Sequence, residues 1–167
     1  MTLVELREEI SIELEMMVST VQEVVSLLND LSGREPTVRE KTAAAAFLAQ
    51  FYGGIENILK RIHRYHGIPM PTGDSWHTDL FKRFCNPPYL PFPVLFDDEL
   101  AKNLSPFRKF RHVVHHGYGF QLDWERMKEG LGMVENVFSL FTASVTDYLQ
   151  INISDAVLRT AKSPHKS

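Results

Sequence analysis

The spacing of apolar residues constrains the fold of this chain more than any other feature. Over residues 3–31 they recur at steps of three or four, at Leu3, Leu6, Ile10, Leu14, Met17, Val21, Val24, Leu28 and Leu31. With about 3.6 residues per turn, this spacing places the stripe on one face of an α-helix. Ser32-Gly33 predicts the end of that helix. The helix is longer than a small bundle needs, which leaves part of its stripe available to another subunit.

A second long helix is predicted after Pro36. Residues 40–48 are rich in alanine and have high helix propensity, and the apolar stripe continues to Ile62. Gly53-Gly54 interrupts the stripe, which predicts either a bend or the close approach of another backbone. Gly67 predicts the end, after a run of cations that the helix dipole favours at a C-terminus.

Breaks and further helices alternate in the rest of the chain. A short helix is predicted over residues 76–84, before four prolines at positions 86–93 that exclude a continuous helix. Another helical segment is predicted from Asp97, with a break at Ser105-Pro106, and continues to Gly117.

The last long helix is predicted over about residues 124–150, with a frayed or flexible tail over residues 161–167. No stretch shows the alternation typical of a β-strand. Four long helices with short or proline-rich connections predict an all-α fold. Its core is an antiparallel four-helix bundle, and residues 74–85 add a short extra helix. We expect one helical domain over residues 1–160, because a chain of 167 residues is of single-domain size.

Composition excludes several classes of protein. The net charge is -3 and the pI is near 6.2, so any nucleic-acid binding must use a local patch. The single cysteine, Cys85, cannot form an internal disulfide, which fits a reducing compartment, and it is predicted to be a buried apolar side chain. We find neither a signal peptide nor an apolar run of the roughly 18 residues that a membrane span needs. We therefore expect a soluble cytoplasmic protein.

The densest cluster of chemically active side chains lies at residues 107–119, on a predicted helix. It holds three histidines, three basic residues and a tyrosine, namely Arg108, Lys109, Arg111, His112, His115, His116 and Tyr118. Arginine is permanently charged and suits phosphate recognition, whereas histidine titrates near neutrality and suits proton transfer. Together they can cleave a phosphodiester without a metal ion. At 100° per residue, however, Arg111 and His116 lie about 140° apart on one helix.

Two other interpretations of this cluster remain open. His112 and His116 have the i, i+4 spacing that can place two imidazoles on one metal ion, although no carboxylate lies within the cluster. The cluster could equally be a solvated basic helix end, since cations are common near a helix C-terminus.

Arg111, His116 and Tyr118 spell the pattern R-x-x-x-x-H-x-Y, which resembles the signature of the HEPN superfamily (higher eukaryotes and prokaryotes nucleotide-binding domains). The chain resembles most closely the HepT-like ribonuclease toxins of that superfamily. The polar residue after the arginine, here His112, fits the family pattern. So do the apolar residues around it and the segment at residues 74–80.

The resemblance implies a function and a partner. Arg111 and His116 match the catalytic arginine and histidine of these toxins, with His112 and His115 in supporting positions. The family acts as a homodimer that cleaves RNA without a metal or other cofactor and leaves a cyclic phosphate. In this family two motif helices face each other across a cleft. An arginine and a histidine that lie 140° apart on one helix can then meet at one site, with one residue from each subunit. Tyr118 matches the tyrosine to which a nucleotidyltransferase antitoxin adds AMP. The alternative is a non-catalytic HEPN-like module that binds a nucleotide or a protein.

Basic residues outside the motif could extend an RNA-binding surface. The candidates are Arg108 and Lys109 beside the motif, and Lys60, Arg61 and Arg64 near the end of the second helix. The last three could equally be an ordinary helix C-terminus. Trp76 is predicted to fill the core, and His77 to pack either near the cleft or in the core.

Overall fold

The computed structural model describes residues 1–116 and 122–161, with the side chains of residues 1–115 and 122–150. The described helices are α1 (Leu3–Leu31), α2 (Val38–His66), α3 (Trp76–Lys82), α4 (Asp98–Asn103), α5 (Ser105–His116) and α6 (Trp124–Ala161). Within these ranges there is no β-strand, and one isolated bridge joins Cys85 to Phe96. The predicted all-α bundle is confirmed. No helix in the described part is long and apolar enough to cross a membrane.

Local capping defines both long N-terminal helices. Thr2 and Thr37 each accept a hydrogen bond from a backbone N–H three residues on, and the glutamate at that position bonds back to the threonine N–H. Helix α1 ends at Ser32 in the left-handed conformation, with a φ of 46°. Helix α2 ends at Gly67, with a φ of 65°, where glycine carries little steric penalty. The two predicted helix ends are therefore confirmed.

Two predicted boundaries differ from the structure. Helix α3 ends at Lys82, two residues before the predicted end. The predicted end of the last helix near residue 150 is wrong, because α6 continues to Ala161. Residues 151–161 contain no glycine or proline and include alanine, leucine and arginine, so nothing in the sequence interrupts the helix there. Between Asp97 and His116 the predicted break is present, and it separates α4 from α5.

Helix α2 lies at the centre of the fold and contacts α1, α3, α5 and α6. Ion pairs fix the direction of α1 against it. Arg61 Nη1 lies 3.0 Å from Glu13, and Arg64 near the end of α2 contacts Glu9 near the start of α1. Farther along α1, Met17 meets Gly54. Because rising numbers in α1 meet falling numbers in α2, the two helices are antiparallel.

The glycine pair in α2 is explained by a side chain of α1. A Cβ atom built on Gly54 would lie 2.6 Å from Met17 Cγ, whereas a Cβ on Gly53 would meet nothing within 4 Å. The helix is continuous through both residues. Of the two predicted explanations, close approach is the one observed, and the approaching group is the Met17 side chain rather than a backbone.

Gly54→Ala is expected to destabilise the protein by about 1 kcal/mol or more, because the clash with Met17 outweighs the gain in helix propensity. Gly53→Ala is the matched control and should be neutral or stabilising by up to about 1 kcal/mol. Urea unfolding of the two variants measures the difference. Equal effects at the two positions would contradict the packing described here.

Candidate functional site

Helix α5 presents Arg111 to the centre of the fold because its neighbours on the helix are core residues. Phe107 is fully buried and Phe110 is 7% exposed, which fixes the rotation of α5 against α2. Arg111 follows directly, and its side chain is only 17% exposed. A guanidinium held so far from water needs a compensating partner.

That partner is Glu56 of α2, whose side chain is 2% exposed. Arg111 Nε lies 2.6 Å from Glu56 Oε1. The N–H is not well aligned with this oxygen, so the contact is an ion pair rather than a well-formed hydrogen bond. Burial raises the pKa of Glu56, and the positive charges of Arg111 and Lys60 oppose that rise. The pair therefore joins α2 to α5 through opposite charges in the interior.

His77 of α3 joins the same pair. Its Nε2 lies 3.0 Å from Arg111 Nη1, and its Nδ1 lies 3.3 Å from Glu56 Oε2. Since a guanidinium can only donate, we assign Nε2 as the acceptor, which leaves Nδ1–H to donate to Glu56. Burial, with the charges of Arg111 and Lys60, lowers the pKa of His77 to about 4. The imidazole is therefore neutral at physiological pH and orients both partners without adding charge.

Trp76, beside His77, supplies an aromatic surface for two cations. Lys60 Nζ lies 5.0 Å from the centre of the indole ring, and Arg111 Cζ lies 5.7 Å from it. These distances are within the range of a cation–π interaction. Trp76 is half-buried and packs against the edge of the core. Trp76 was predicted to fill the core, and the structure places it at the edge of the core instead.

Beside Arg111 lies an open cleft of about 610 Å³. Its walls come from α2, α3, α5 and α6, and its lining includes Arg108, Lys109, Arg111, His112 and Arg126. Glu56 and His77 hold Nε and Nη1 of Arg111, and no hydrogen bond or ion pair of Nη2 is found among the described residues. This arrangement suits recognition of a phosphate group, because a fixed guanidinium loses little conformational freedom on binding.

Comparison with known proteins places the chain in a family. A family profile described as "HepT-like protein" matches residues 43–152, which spans most of α2 and all of α3, α4 and α5. The chain belongs to the HepT-like family. Neither the curated proteins nor the solved structures gave a significant match. The family predicted from the motif is confirmed, and the individual residues of the motif remain predictions.

In this HepT-like chain the predicted catalytic pair is described only in part. Arg111 is placed as above, whereas His116 is the last residue of α5 and its side chain lies outside the described residues. Tyr118 also lies outside them. His112 and His115 are exposed on α5, and His112 lines the cleft.

The predicted RNA-binding residues of the HepT-like chain separate into two groups. Arg108, Lys109 and Lys60 lie in or beside the cleft region, with Arg108 Cζ 4.3 Å from the centre of the Phe81 ring. Arg61 and Arg64 instead contact acidic residues of α1, so part of their charge is already compensated.

In the described part of the chain, no group of three or more His, Cys, Asp or Glu side chains could hold a metal ion.

Glu56 was not predicted as a site residue, and His77 was predicted only to pack near the cleft or in the core. A signal for Glu56 was present in the sequence. Tyr52, Glu56, Leu59 and His63 follow one another at steps of four, three and four, so Glu56 is in register with the buried stripe of α2. A buried carboxylate requires a cation or a donor in the folded state.

Proposed function

We propose that this HepT-like chain is a metal-independent endoribonuclease that cleaves cellular RNA in the cytoplasm. It would be the toxin of a type VII-like module, paired with a minimal nucleotidyltransferase antitoxin. The observation that supports this proposal is the position of Arg111. Glu56 and His77 fix it at a basic cleft, on the same helix that carries His116. Membership of the HepT-like family favours the same activity.

The proposed chemistry is transfer of a phosphoryl group within the RNA strand. The ribose 2′-oxygen attacks the adjacent phosphorus and the bond to the 5′-oxygen breaks, which leaves a 2′,3′-cyclic phosphate and a 5′-hydroxyl. His116 takes the proton from the 2′-hydroxyl or gives one to the leaving 5′-oxygen. Arg111 stabilises the charge that develops on the phosphoryl oxygens. His112 and His115 support the site in this proposal.

A homodimer would bring Arg111 of one subunit to His116 of the partner subunit. Within one α5 helix the two residues are about 140° apart, so one face cannot present both to one phosphate. Two facing copies of α5 would remove this difficulty, because each cleft takes residues from both chains.

RNA cleavage by the wild type and by His116→Ala, both in EDTA, tests the activity. We expect the wild type to cleave RNA and the variant to cleave it at least about 100-fold more slowly, since an acid–base group usually contributes a rate factor of this size. Mass analysis of the fragments should show cyclic phosphate ends. Equal cleavage by both proteins would indicate a contaminating nuclease. No cleavage of varied RNAs by the wild type would favour the non-catalytic binding module instead.

Addition of AMP to Tyr118 is the proposed regulation. The AMP group would bring bulk and negative charge beside a basic cleft, and would therefore block RNA by steric exclusion and repulsion. Co-expression with a nucleotidyltransferase encoded next to this chain should raise its mass by one or more AMP groups. The Tyr118→Phe variant should stay unmodified and active under the same conditions. Modification of Tyr118→Phe to the same extent would remove this residue from the proposal.

A further inference from the structure

The cleft beside Arg111 carries more positive charge than one phosphate contact requires. Among the described residues, its lining has four cationic side chains, those of Arg108, Lys109, Arg111 and Arg126, against the one carboxylate of Asp74. Glu56 already compensates the charge of Arg111. The remaining three cations therefore set the potential of the cleft, in a chain whose net charge is -3.

Within the part of the chain that the structure describes, these three cations have no strong acidic partner. No ion pair of Arg108 or Lys109 is found in the described ranges. Arg126 Nε lies 3.4 Å from Asp123 Oδ2, but their side chains are 80% and 53% exposed, so water screens this pair. Arg108 is instead held over the Phe81 ring. Arg108 and Arg111 are three residues apart on α5 and hence share a face, about 4.5 Å apart along the helix axis.

Tyr52 adds an unusual polar group to the lining of the cleft. It is 1% exposed, and its hydroxyl makes no hydrogen bond of good geometry with the described residues. Burial raises its pKa, and Arg108 opposes that rise through its positive charge and a weak side-chain hydrogen bond to the hydroxyl. A buried hydroxyl without a well-formed hydrogen bond is costly in a folded protein, and a bound anion would satisfy it.

We propose that Arg108, Lys109, Arg126 and the Tyr52 hydroxyl form a second phosphate subsite, which binds a phosphodiester next to the one at Arg111 in a single RNA strand. The identification of the ligand as RNA rests on the proposed ribonuclease function. The cations come from two helices along an open cleft of about 610 Å³, which fits a strand better than an isolated phosphate. Asp74, Thr78 and Ser105 line the same cleft and suit the hydroxyl groups of ribose.

Binding of a fluorescent single-stranded RNA to the His116→Ala protein tests this subsite without cleavage. Adding Arg108→Gln and Arg126→Gln to that background should weaken binding about 10-fold. It should also reduce the slope of log K against log salt concentration by about 0.7, the value for one lost phosphate contact in a single strand. Arg7→Gln with Arg39→Gln is the matched control. Both arginines are exposed on α1 and α2 outside the cleft, so removing them changes the net charge equally. We expect the control to bind RNA like the parent protein.

Two further variants separate loss of contact from loss of fold. Arg108→Lys keeps the charge and should leave the salt dependence unchanged, with affinity within about threefold of the parent. Tyr52→Phe removes only the hydroxyl. It should raise the Tm by about 2–4 °C, because a buried group without a well-formed hydrogen bond is lost, and weaken RNA binding about two- to fivefold. A lower Tm for Tyr52→Phe would show that the hydroxyl is bonded within the fold and would contradict its role in the subsite.

The outcomes distinguish this inference from the proposed activity. If the wild type does not cleave RNA but only the cleft variant loses RNA affinity, the nuclease proposal fails and the subsite stands. Equal affinity of parent and cleft variant, or an equal loss in the Arg7 and Arg39 control, overturns the subsite. AMP and inorganic phosphate serve as competitors beside unlabelled RNA. If either displaced the fluorescent RNA at concentrations as low as unlabelled RNA does, the cleft would be a site for a small anion, and this too would overturn the subsite.

Discussion

Arg111→Ala is expected to destabilise the folded protein by about 3–5 kcal/mol at neutral pH, apart from any effect on RNA. The variant leaves Glu56, 2% exposed, without the guanidinium that lies 2.6 Å from its carboxylate. Burial and the charge of Lys60 still lower the pKa of His77 in this variant, which opposes protonation of His77 as a replacement cation. Urea unfolding at pH 7 measures the loss. The loss should shrink as the pH is lowered, since burial raises the pKa of Glu56 and its protonation removes the uncompensated charge.

The double variant Glu56→Gln, Arg111→Met is the matched control for this prediction. Methionine keeps much of the arginine stem packing, and glutamine removes the buried negative charge. We expect the double variant to lose clearly less stability than Arg111→Ala, about 2 kcal/mol at most. A loss in the double variant as large as in Arg111→Ala would mean that packing, and not the uncompensated carboxylate, explains the effect.

This prediction determines how catalysis should be tested. Loss of RNA cleavage in Arg111→Ala would not assign a catalytic role, because a partly unfolded protein also loses activity. The double variant lacks the guanidinium while keeping the interior electrically neutral. It is therefore the appropriate arginine-deficient partner for a test of the shared site.

Mixed dimers are expected to recover activity that neither parent variant has. Co-expression of Glu56→Gln, Arg111→Met with His116→Ala, under separate tags, gives dimers that contain one copy of each. If each cleft combines Arg111 of one subunit with His116 of the partner subunit, one of the two clefts in such a dimer is intact. Random pairing in equal amounts should restore about a quarter of wild-type activity, and a purified mixed dimer about half. Release of cyclic phosphate ends from a defined RNA measures the recovery.

A site built within one chain gives a different result, because every subunit in the mixture then lacks one of the two groups. Activity would stay at the level of the parent variants. Mixtures of two His116→Ala proteins with different tags control for effects of co-expression and purification. Recovery in that control would indicate a host nuclease, and absence of stable dimers by light scattering would contradict the shared site directly.

Local features of the sequence were sufficient for most of the secondary structure. The 3–4 spacing in residues 3–31 predicted α1, and the left-handed positions at Ser32 and Gly67 were predicted as helix ends. These features depend on neighbours within one or two helical turns, which a sequence shows directly. The end of α6 was predicted too early, since no glycine or proline marks its true boundary. Packing rather than intrinsic propensity commonly decides how far such a helix extends.

For the candidate site, too, some features followed from the sequence and others only from the tertiary structure. The sequence by itself determined that Arg111 lies on a helix with a cluster of histidines, and its spacing to His116 and Tyr118 led to the correct family. Only the tertiary structure shows that Glu56 and His77 contact Arg111. In the sequence, His77 is 34 residues from Arg111, and Glu56 is 21 residues from His77. Contacts over such distances depend on how α2, α3 and α5 pack, and helical spacing carries no information about the neighbouring helix. Burial then decides the chemistry, since it makes Glu56 require Arg111 and keeps His77 neutral.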